Sequence, residues 1–292
     1  MREGNRKNFS GKVLQLGNQE VLTTLERLEK TAQEENFELL ESNCDIGYGK
    51  SKFSDAKTIN SKYFFQRLGF DTVDALDYSS FEGANIIHDL NVLLAKDFIN
   101  IGEYNLIYDG GTIEHIFNMP NVLINIFELL SVGGRIIHAS PVNMFNHGFY
   151  NYSTCFFEDF YGCNDFFINE CGIMKSTVRN GPDTAYYTQG DKNSQFIRAI
   201  NPTIFNGATF GINFIATKHD KSTGNNTPQQ GYYLLAWEPS SDNGGSNNSN
   251  LIDREVLLKS IYRKLKNIPV LRILITSLRN RYLNSLVKWE LI

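Results

Sequence analysis

Short apolar segments that end in a glycine or an aspartate alternate with helical segments over the first half of the chain. The clearest are 11–17, 72–77, 104–109 and 133–139, which have the length and the Val/Ile/Leu content of buried strands. Strands that alternate with helices pack as a largely parallel sheet covered on both faces. The sequence therefore predicts an α/β fold with a doubly wound, mostly parallel sheet.

Helices and late strands complete this pattern. Helical spacing of apolar residues predicts helices over 21–40 and 61–68. The segments 208–217 and 231–237 are strand-like and are joined by a Gly/Asn/Thr-rich region, which is typical of an antiparallel hairpin. We therefore expect one α/β domain over residues 1–237.

The end of the chain differs in composition from this domain. Residues 238–250 are rich in Ser, Gly and Asn and are predicted to form a flexible linker. Residues 251–292 carry nine Lys/Arg and three Asp/Glu, so this tail has a net charge of +6 and the rest of the chain −10. Leu271, Leu274, Ile275 and Leu278 recur at helical spacing, which predicts a basic amphipathic helix. Such a helix could dock on its own domain, on a protein partner or on an anionic membrane surface.

Composition excludes several classes of protein. The overall charge of −4 argues against a nucleic-acid binder that relies on global positive potential. The four cysteines form no C-x-x-C pair and do not suggest a disulfide scaffold. No apolar run approaches the roughly 20 residues that span a bilayer. We expect a cytoplasmic protein, with peripheral membrane contact through the tail as an option; the oligomeric state, including a homo-oligomer, stays open.

Two runs resemble a known enzyme family. Residues 104–115 read YNLIYDGGTIEH and residues 129–137 read LLSVGGRII. They resemble the fourth and fifth strands of class I S-adenosylmethionine-dependent methyltransferases, and the resemblance covers 11–237. It implies a Rossmann-like, seven-stranded sheet with the antiparallel hairpin at one edge, and S-adenosylmethionine as cofactor.

The resemblance also implies residue roles. Gly17 would lie in the turn after the first strand, Asp77 would accept hydrogen bonds from the cofactor ribose, Asp89 would face the adenine amino group, and Asp109 would lie near the methionine part. The 60 residues between Gly17 and Asp77 exceed the roughly 20 of a compact unit, so 21–57 is predicted to be an insertion.

A methyltransferase that acts on an oxygen or nitrogen nucleophile needs a base to remove its proton. His115, beside Glu114, and His147 are the candidates, because an imidazole pKa near 6.5 suits proton transfer at neutral pH. Glu114, His115, His138 and His147 could converge on a metal, but their spacing along the chain matches no ligand motif. No metal is therefore predicted.

The substrate and the activity stay open at this stage. The segment 140–150, SPVNMFNHGFY, resembles methyltransferase-like proteins of bacterial surface-polysaccharide gene clusters, which implies a small-molecule or glycan-precursor substrate and a role in polysaccharide biosynthesis. The alternative is a non-catalytic methyltransferase-like scaffold that binds a partner or membrane through its tail, and the single glycine of the first loop favours it. A nicotinamide oxidoreductase lacks support because no G-x-G-x-x-G follows the first strand.

Overall fold

The computed structural model describes residues 9–47, 49–50, 57–176, 185–189, 209–231 and 290–291. Its elements, in chain order, are β1 (Lys12–Leu16), α1 (Leu25–Glu34), β2 (Gly49–Lys50), β3 (Lys57–Thr58), α2 (Ser61–Arg67), β4 (Thr72–Asp77), β5 (Ile86–Ile87), β6 (Tyr104–Asp109), a 3₁₀ helix (Ile113–His115), α3 (Met119–Leu129), β7 (Leu130–Pro141), α4 (Thr154–Cys163), β8 (Phe167–Ser176), β9 (Ala185–Gln189), β10 (Thr209–Thr217) and β11 (Glu290–Leu291).

Nine of these strands form one sheet in the order β11-β9-β8-β10-β7-β6-β1-β4-β5. The five strands from β7 to β5 are parallel. At the other side β10 pairs antiparallel with both β7 and β8, and β9 and β11 extend that edge. The seven strands from β5 to β8 thus form the predicted Rossmann-like, mostly parallel sheet with an antiparallel edge.

The sheet has apolar packing on both faces. Neighbouring residues of β1 point to opposite sides, so that Leu14 joins a cluster with residues of α3 and α4, whereas Val13 joins a cluster with Phe65 of α2. A strand buried on both faces is mostly apolar, and β1 (KVLQL) and β6 (YNLIYD) each contain adjacent apolar residues at their centres. Helices on both faces confirm the doubly wound arrangement.

Polar side chains fix the starts of the first two helices. The Thr24 hydroxyl accepts a hydrogen bond from the Arg27 N–H at 3.2 Å, and the Asn60 side-chain oxygen accepts one from Tyr63 N–H at 2.7 Å. Each satisfies a backbone donor that the helix cannot pair internally. The predicted helix over 21–40 is therefore shorter than its apolar spacing suggested, because α1 begins only after Thr24.

The predicted late hairpin is wrong in its pairing. The strand at 208–217 exists as β10, but both of its edges are occupied, by β7 and by β8. Its antiparallel partner at the outer side is β8, which follows α4. Apart from residue 231, the predicted second strand at 231–237 lies outside the described residues.

The linker at 238–250 and nearly all of the basic tail also lie outside the described residues. Of the tail, only Glu290–Leu291 is described, as a strand paired with β9. The helical prediction for 251–292 and the proposed domain boundaries therefore stay predictions. Within the described ranges, no helix has the length and apolar content needed to cross a membrane.

Candidate active site

The strand order creates a crevice between the carboxyl ends of β1 and β6. From β1 the chain continues to β4 and β5 on one side, and it then returns to β6 and β7 on the other side. Such a reversal separates the loops that leave the two central strands, and ligands of open α/β sheets bind there. The loops after β1, β4, β5 and β6 all open at this end of the sheet.

Gly17 ends β1 with a conformation suited to glycine. Its φ is +71°, and its N–H donates to the Leu76 carbonyl at 2.8 Å, which holds the turn beside the end of β4. A β-carbon here would lie 2.8 Å from Thr112 Oγ1. The loops after β1 and β6 are therefore packed together where side chains have no room.

Two amide side chains after Gly17 connect the first loop to its neighbours, and Gln19 is the one that spans the crevice. Asn18 Nδ2 donates to the Glu82 carbonyl of the loop after β4 at 2.6 Å. Gln19 Nε2 donates to Thr112 Oγ1 at 2.7 Å, in the loop after β6. Both side chains are partly exposed. Amide side chains of the first loop thus form hydrogen bonds at positions where a glycine-rich loop would leave room for a ligand.

Asp77 and Asp89 follow β4 and β5 on the same side of the crevice. The Asp77 carboxylate accepts a hydrogen bond from the N–H of Tyr78 at 2.6 Å, and no other partner of it is found among the described residues. Asp89 accepts from the backbone and side chain of Asn91, at 2.9 and 2.8 Å. These bonds, the backbone one foremost, hold the pKa of Asp89 below its ordinary value. Both carboxylates are partly exposed and keep acceptor capacity.

The side chain of Asp109, which the resemblance places near the methionine part of the cofactor, lies in the protein interior. It is fully buried; one carboxylate oxygen accepts from the backbone of Thr112 at 2.9 Å, and the other lies 2.7 Å from His138 Nδ1. His138 is also fully buried, and its Nε2 lies 2.8 Å from the Tyr161 hydroxyl. Asp109 therefore faces the protein interior and orders the loop after β6.

Glu114, His115 and His147 converge beside this loop. The Glu114 side chain is 1% exposed; its Oε1 lies 3.3 Å from His147 Nε2 and 4.0 Å from His115 Nε2. The two imidazoles are 46% and 44% exposed, with ring centroids 4.9 Å apart. His115 and His147 thus flank one buried carboxylate, although they lie 32 positions apart in the chain.

The loop after β7 brings His147 to this carboxylate through the backbone. The Glu114 carbonyl accepts hydrogen bonds from the N–H groups of Phe149 at 2.8 Å and Tyr150 at 3.3 Å. A β-carbon on Gly148 would lie 2.7 Å from the same carbonyl oxygen. The missing side chain at 148 therefore allows the close contact that docks the loop.

Burial changes the proton affinity of two members of the cluster. Desolvation, aided by the charge of Asp109, raises the pKa of Glu114 to about 7. Desolvation and the neighbouring His147 lower the pKa of His115. The cluster therefore contains groups that can hold or release a proton near neutral pH, which is the property required of a general base.

Exposed aromatic side chains surround the cluster. Phe117 lies two residues after His115 and Phe149 two residues after His147, and their rings meet edge to face with centroids 5.5 Å apart. Both are largely exposed, as is Phe145. Large exposed apolar groups beside polar ones are typical of ligand-binding surfaces.

The structure brings together only some of the predicted residues. Gly17, Asp77 and Asp89 lie around the crevice, while His115 and His147 share a cluster with Glu114. His138, once grouped with them as a hypothetical metal ligand, is instead held by Asp109 and Tyr161. Sequence reasoning missed the bridging role of Gln19 and the burial of Glu114, since both depend on contacts between loops.

No family model and no curated protein matches the chain. Among solved structures, 1,6-didemethyltoxoflavin-N1-methyltransferase of Burkholderia thailandensis, with 1,6-didemethyltoxoflavin and S-adenosylhomocysteine bound, is 13% identical, with 74% of this chain and 75% of that one covered and a TM-score of 0.36. TehB of Haemophilus influenzae is 16% identical, with coverage of 68% and 63% and a TM-score of 0.36. A methyltransferase of Archaeoglobus fulgidus described as S-adenosylmethionine-dependent is 11% identical, with coverage of 75% and 95% and a TM-score of 0.36. The fold assigned to this chain therefore follows from its own strand order and strand registers, and not from these likenesses.

Proposed function

We propose that this protein is an S-adenosylmethionine-dependent methyltransferase that acts on a small molecule or a glycan precursor. The observation that carries the proposal is the carboxylate of Asp77 at the end of β4, beside the crevice, with a hydrogen bond from Tyr78 N–H alone among the described residues. A carboxylate with free acceptor sites suits the two neighbouring hydroxyls of a ribose.

The residues around the crevice fit this cofactor. Gly17 removes a side chain where the backbone would approach the ligand, and the charged Asp89 suits an amino donor such as that of adenine. Gln19 crosses the crevice and Asn18 contacts the loop after β4, but both are partly exposed amides that can rotate or pair with the ligand. Asp109 is buried and accepts a hydrogen bond from the Thr112 N–H, so the contribution that we assign to it is to hold the loop after β6.

The chemistry assigned to the cluster is proton removal from the acceptor. S-Adenosylmethionine supplies an electrophilic methyl group and leaves as S-adenosylhomocysteine. With Nε2–H of His147 directed at Glu114, its Nδ1 is free to take the proton from an acceptor hydroxyl or amine. The buried Glu114 carboxylate orients this imidazole, and His115 is the second candidate base.

The aromatic ledge formed by Phe117, Phe145 and Phe149 supports an acceptor with an apolar face. The ledge adjoins both histidines in sequence, and rings hold a ligand face at little entropic cost. A saccharide ring has such a face, made of its C–H groups, together with hydroxyl groups. A glycan precursor remains the substrate class that we propose.

The proposal is tested by acceptor-dependent formation of S-adenosylhomocysteine from S-adenosylmethionine, with nucleotide sugars and lipid-linked saccharides as candidate acceptors. We expect His147→Ala to lower the turnover rate by roughly 100-fold or more, as loss of a general base does. His219→Ala is the matched control, because His219 is also about half-exposed and lies 3.3 Å from a carboxylate, that of Asp220. Equal rates for wild type and His147→Ala would contradict the role of His147.

A non-catalytic scaffold is the second candidate function, and the bridging contacts of Gln19 favour it. The amide ties Thr112 and the Leu16 carbonyl together across the crevice, as a structural residue would. In that case the protein would bind a partner or membrane through its basic tail. Folded protein that neither binds S-adenosylhomocysteine nor forms it would support this alternative.

A further inference from the structure

We propose that Glu114, His115 and His147 form a binding site for a divalent transition-metal ion. Each residue offers one ligand atom, and the three atoms lie within 4.8 Å of one another. They come from two loops that the backbone of Glu114 joins, because its carbonyl accepts the N–H groups of Phe149 and Tyr150. The site is thus formed by the fold, and no linear motif encodes it.

The distances are close to those that an ion requires. Ligand atoms about 2.1 Å from a tetrahedral ion lie about 3.4 Å from each other. Glu114 Oε1 and His147 Nε2 are already 3.3 Å apart, and Glu114 Oε1 and His115 Nε2 are 4.0 Å apart. Since both imidazoles are about half-exposed, a small rotation of His115 would close the set without moving the backbone.

A second observation is the unpaired oxygen of the buried carboxylate. Glu114 Oε2 is buried and has no hydrogen-bond partner among the described residues, and the side chain is 1% exposed. Among the described residues, no lysine or arginine forms an ion pair with it. A buried carboxylate with an unpaired oxygen is costly, and a cation is one group that would compensate it.

The donor set indicates the kind of ion. Two imidazole nitrogens and one carboxylate oxygen suit Zn²⁺, Fe²⁺, Mn²⁺ and Co²⁺ better than Ca²⁺ or Mg²⁺, which prefer oxygen ligands. Three protein ligands leave at least one coordination position open, on the exposed side of the histidines. If the proposed function holds, an acceptor hydroxyl would bind there and lose its proton more readily, and the histidines would act as ligands in place of a base.

The experiment is titration of the metal-free, full-length protein with Co²⁺, followed by its visible absorption, and with Zn²⁺, followed by calorimetry. We expect one ion per chain, with the ligand-field absorption of Co²⁺ in a low-symmetry nitrogen and oxygen environment. His115→Ala and His147→Ala should each weaken binding by at least about tenfold. His219→Ala, which removes a similarly exposed histidine beside Asp220, should leave the affinity unchanged.

Glu114→Gln provides the second variant, because it keeps the shape of the buried side chain and removes its charge. The metal affinity of Glu114→Gln should fall as much as that of the two histidine variants. Its melting temperature should show that the variant still folds. Binding that is undiminished in His115→Ala, His147→Ala and Glu114→Gln, or no binding by the wild type, would overturn the proposal. Calorimetry of the metal-free protein with S-adenosylhomocysteine tests the proposed function separately, since its cofactor residues are not ligands of the ion.

Discussion

Gly17 combines two constraints on a single residue. Its φ of +71° is unfavourable for residues with a side chain, and a β-carbon would lie 2.8 Å from Thr112 Oγ1. We therefore expect Gly17→Ala to lower the free energy of unfolding by about 1–3 kcal/mol. Denaturant unfolding measures this change.

Gly162 is the matched control for this substitution. It lies in the last turn of α4, and a β-carbon there would meet nothing within 4 Å. Because alanine loses less backbone entropy on folding than glycine, Gly162→Ala should raise the free energy of unfolding by up to about 1 kcal/mol. If Gly162→Ala lowered the free energy of unfolding as much as Gly17→Ala, the turn conformation of Gly17 would not be the cause of its loss of stability.

Glu114 should make stability depend on pH in a definite direction. Its pKa rises from an ordinary value of 4.5 to about 7 in the folded protein. The folded state therefore binds more protons than the unfolded state between these values, so this group lowers stability as pH rises through them. Above about pH 7 the full penalty is present, and Glu114→Gln removes it.

The measurement is the melting temperature of Glu114→Gln and wild type, with a chelator present, at about pH 5 and pH 8. The gain from the substitution should be larger at the higher pH. Glu29→Gln, at an exposed position of α1, should change the melting temperature little at either pH. A gain of the same size at both pH values would refute this account of Glu114.

At the scale of elements, a buried chain of polar groups joins β6, β7 and α4. His138 Nδ1 lies 2.7 Å from a carboxylate oxygen of Asp109, and its Nε2 lies 2.8 Å from the Tyr161 hydroxyl. Burial raises the pKa of Tyr161 well above its ordinary value, so the hydroxyl remains a donor. The three elements are therefore aligned by hydrogen bonds as well as by apolar packing.

Tyr161→Phe should lower the free energy of unfolding by about 1–3 kcal/mol, because it leaves a buried imidazole nitrogen unpaired. The neighbouring Tyr152 is also buried, but within the described part of the chain its hydroxyl has only a 3.8 Å contact with the Met119 sulfur. Tyr152→Phe should therefore cost less than about 1 kcal/mol. Equal losses in urea unfolding would show that His138 does not depend on Tyr161.

The parallel half of the fold could be predicted from the sequence. The strands at 72–77 and 104–109 are confirmed with their predicted bounds, since local apolar runs ending in aspartate define them. The partner of β10 was not predicted, because its register with β8 joins residues about 40 positions apart. Local pattern specifies an element, whereas strand pairing depends on distant residues.

The candidate site divides in the same way. Asp77 and Gly17 follow strands directly, so strand direction alone assigns them to one edge of the sheet. The cluster of Glu114, His115 and His147 needs the loop after β7 to fold back on the 3₁₀ helix. Ligand spacing along the chain therefore gave no sign of a metal site.

For the molecule as a whole, the account rests on a ligand crevice at the point where the strand order reverses. The central claim is that S-adenosylmethionine binds there, held by Asp77. Calorimetric titration with S-adenosylhomocysteine tests it most directly, with Asp77→Asn as the variant and Asp97→Asn, at an exposed position, as the control. We expect saturable binding of one ligand per chain to wild type and Asp97→Asn, and binding at least about tenfold weaker to Asp77→Asn, since two charge-assisted hydrogen bonds are lost. No binding by folded wild-type protein, or equal affinity in Asp77→Asn, would contradict the claim.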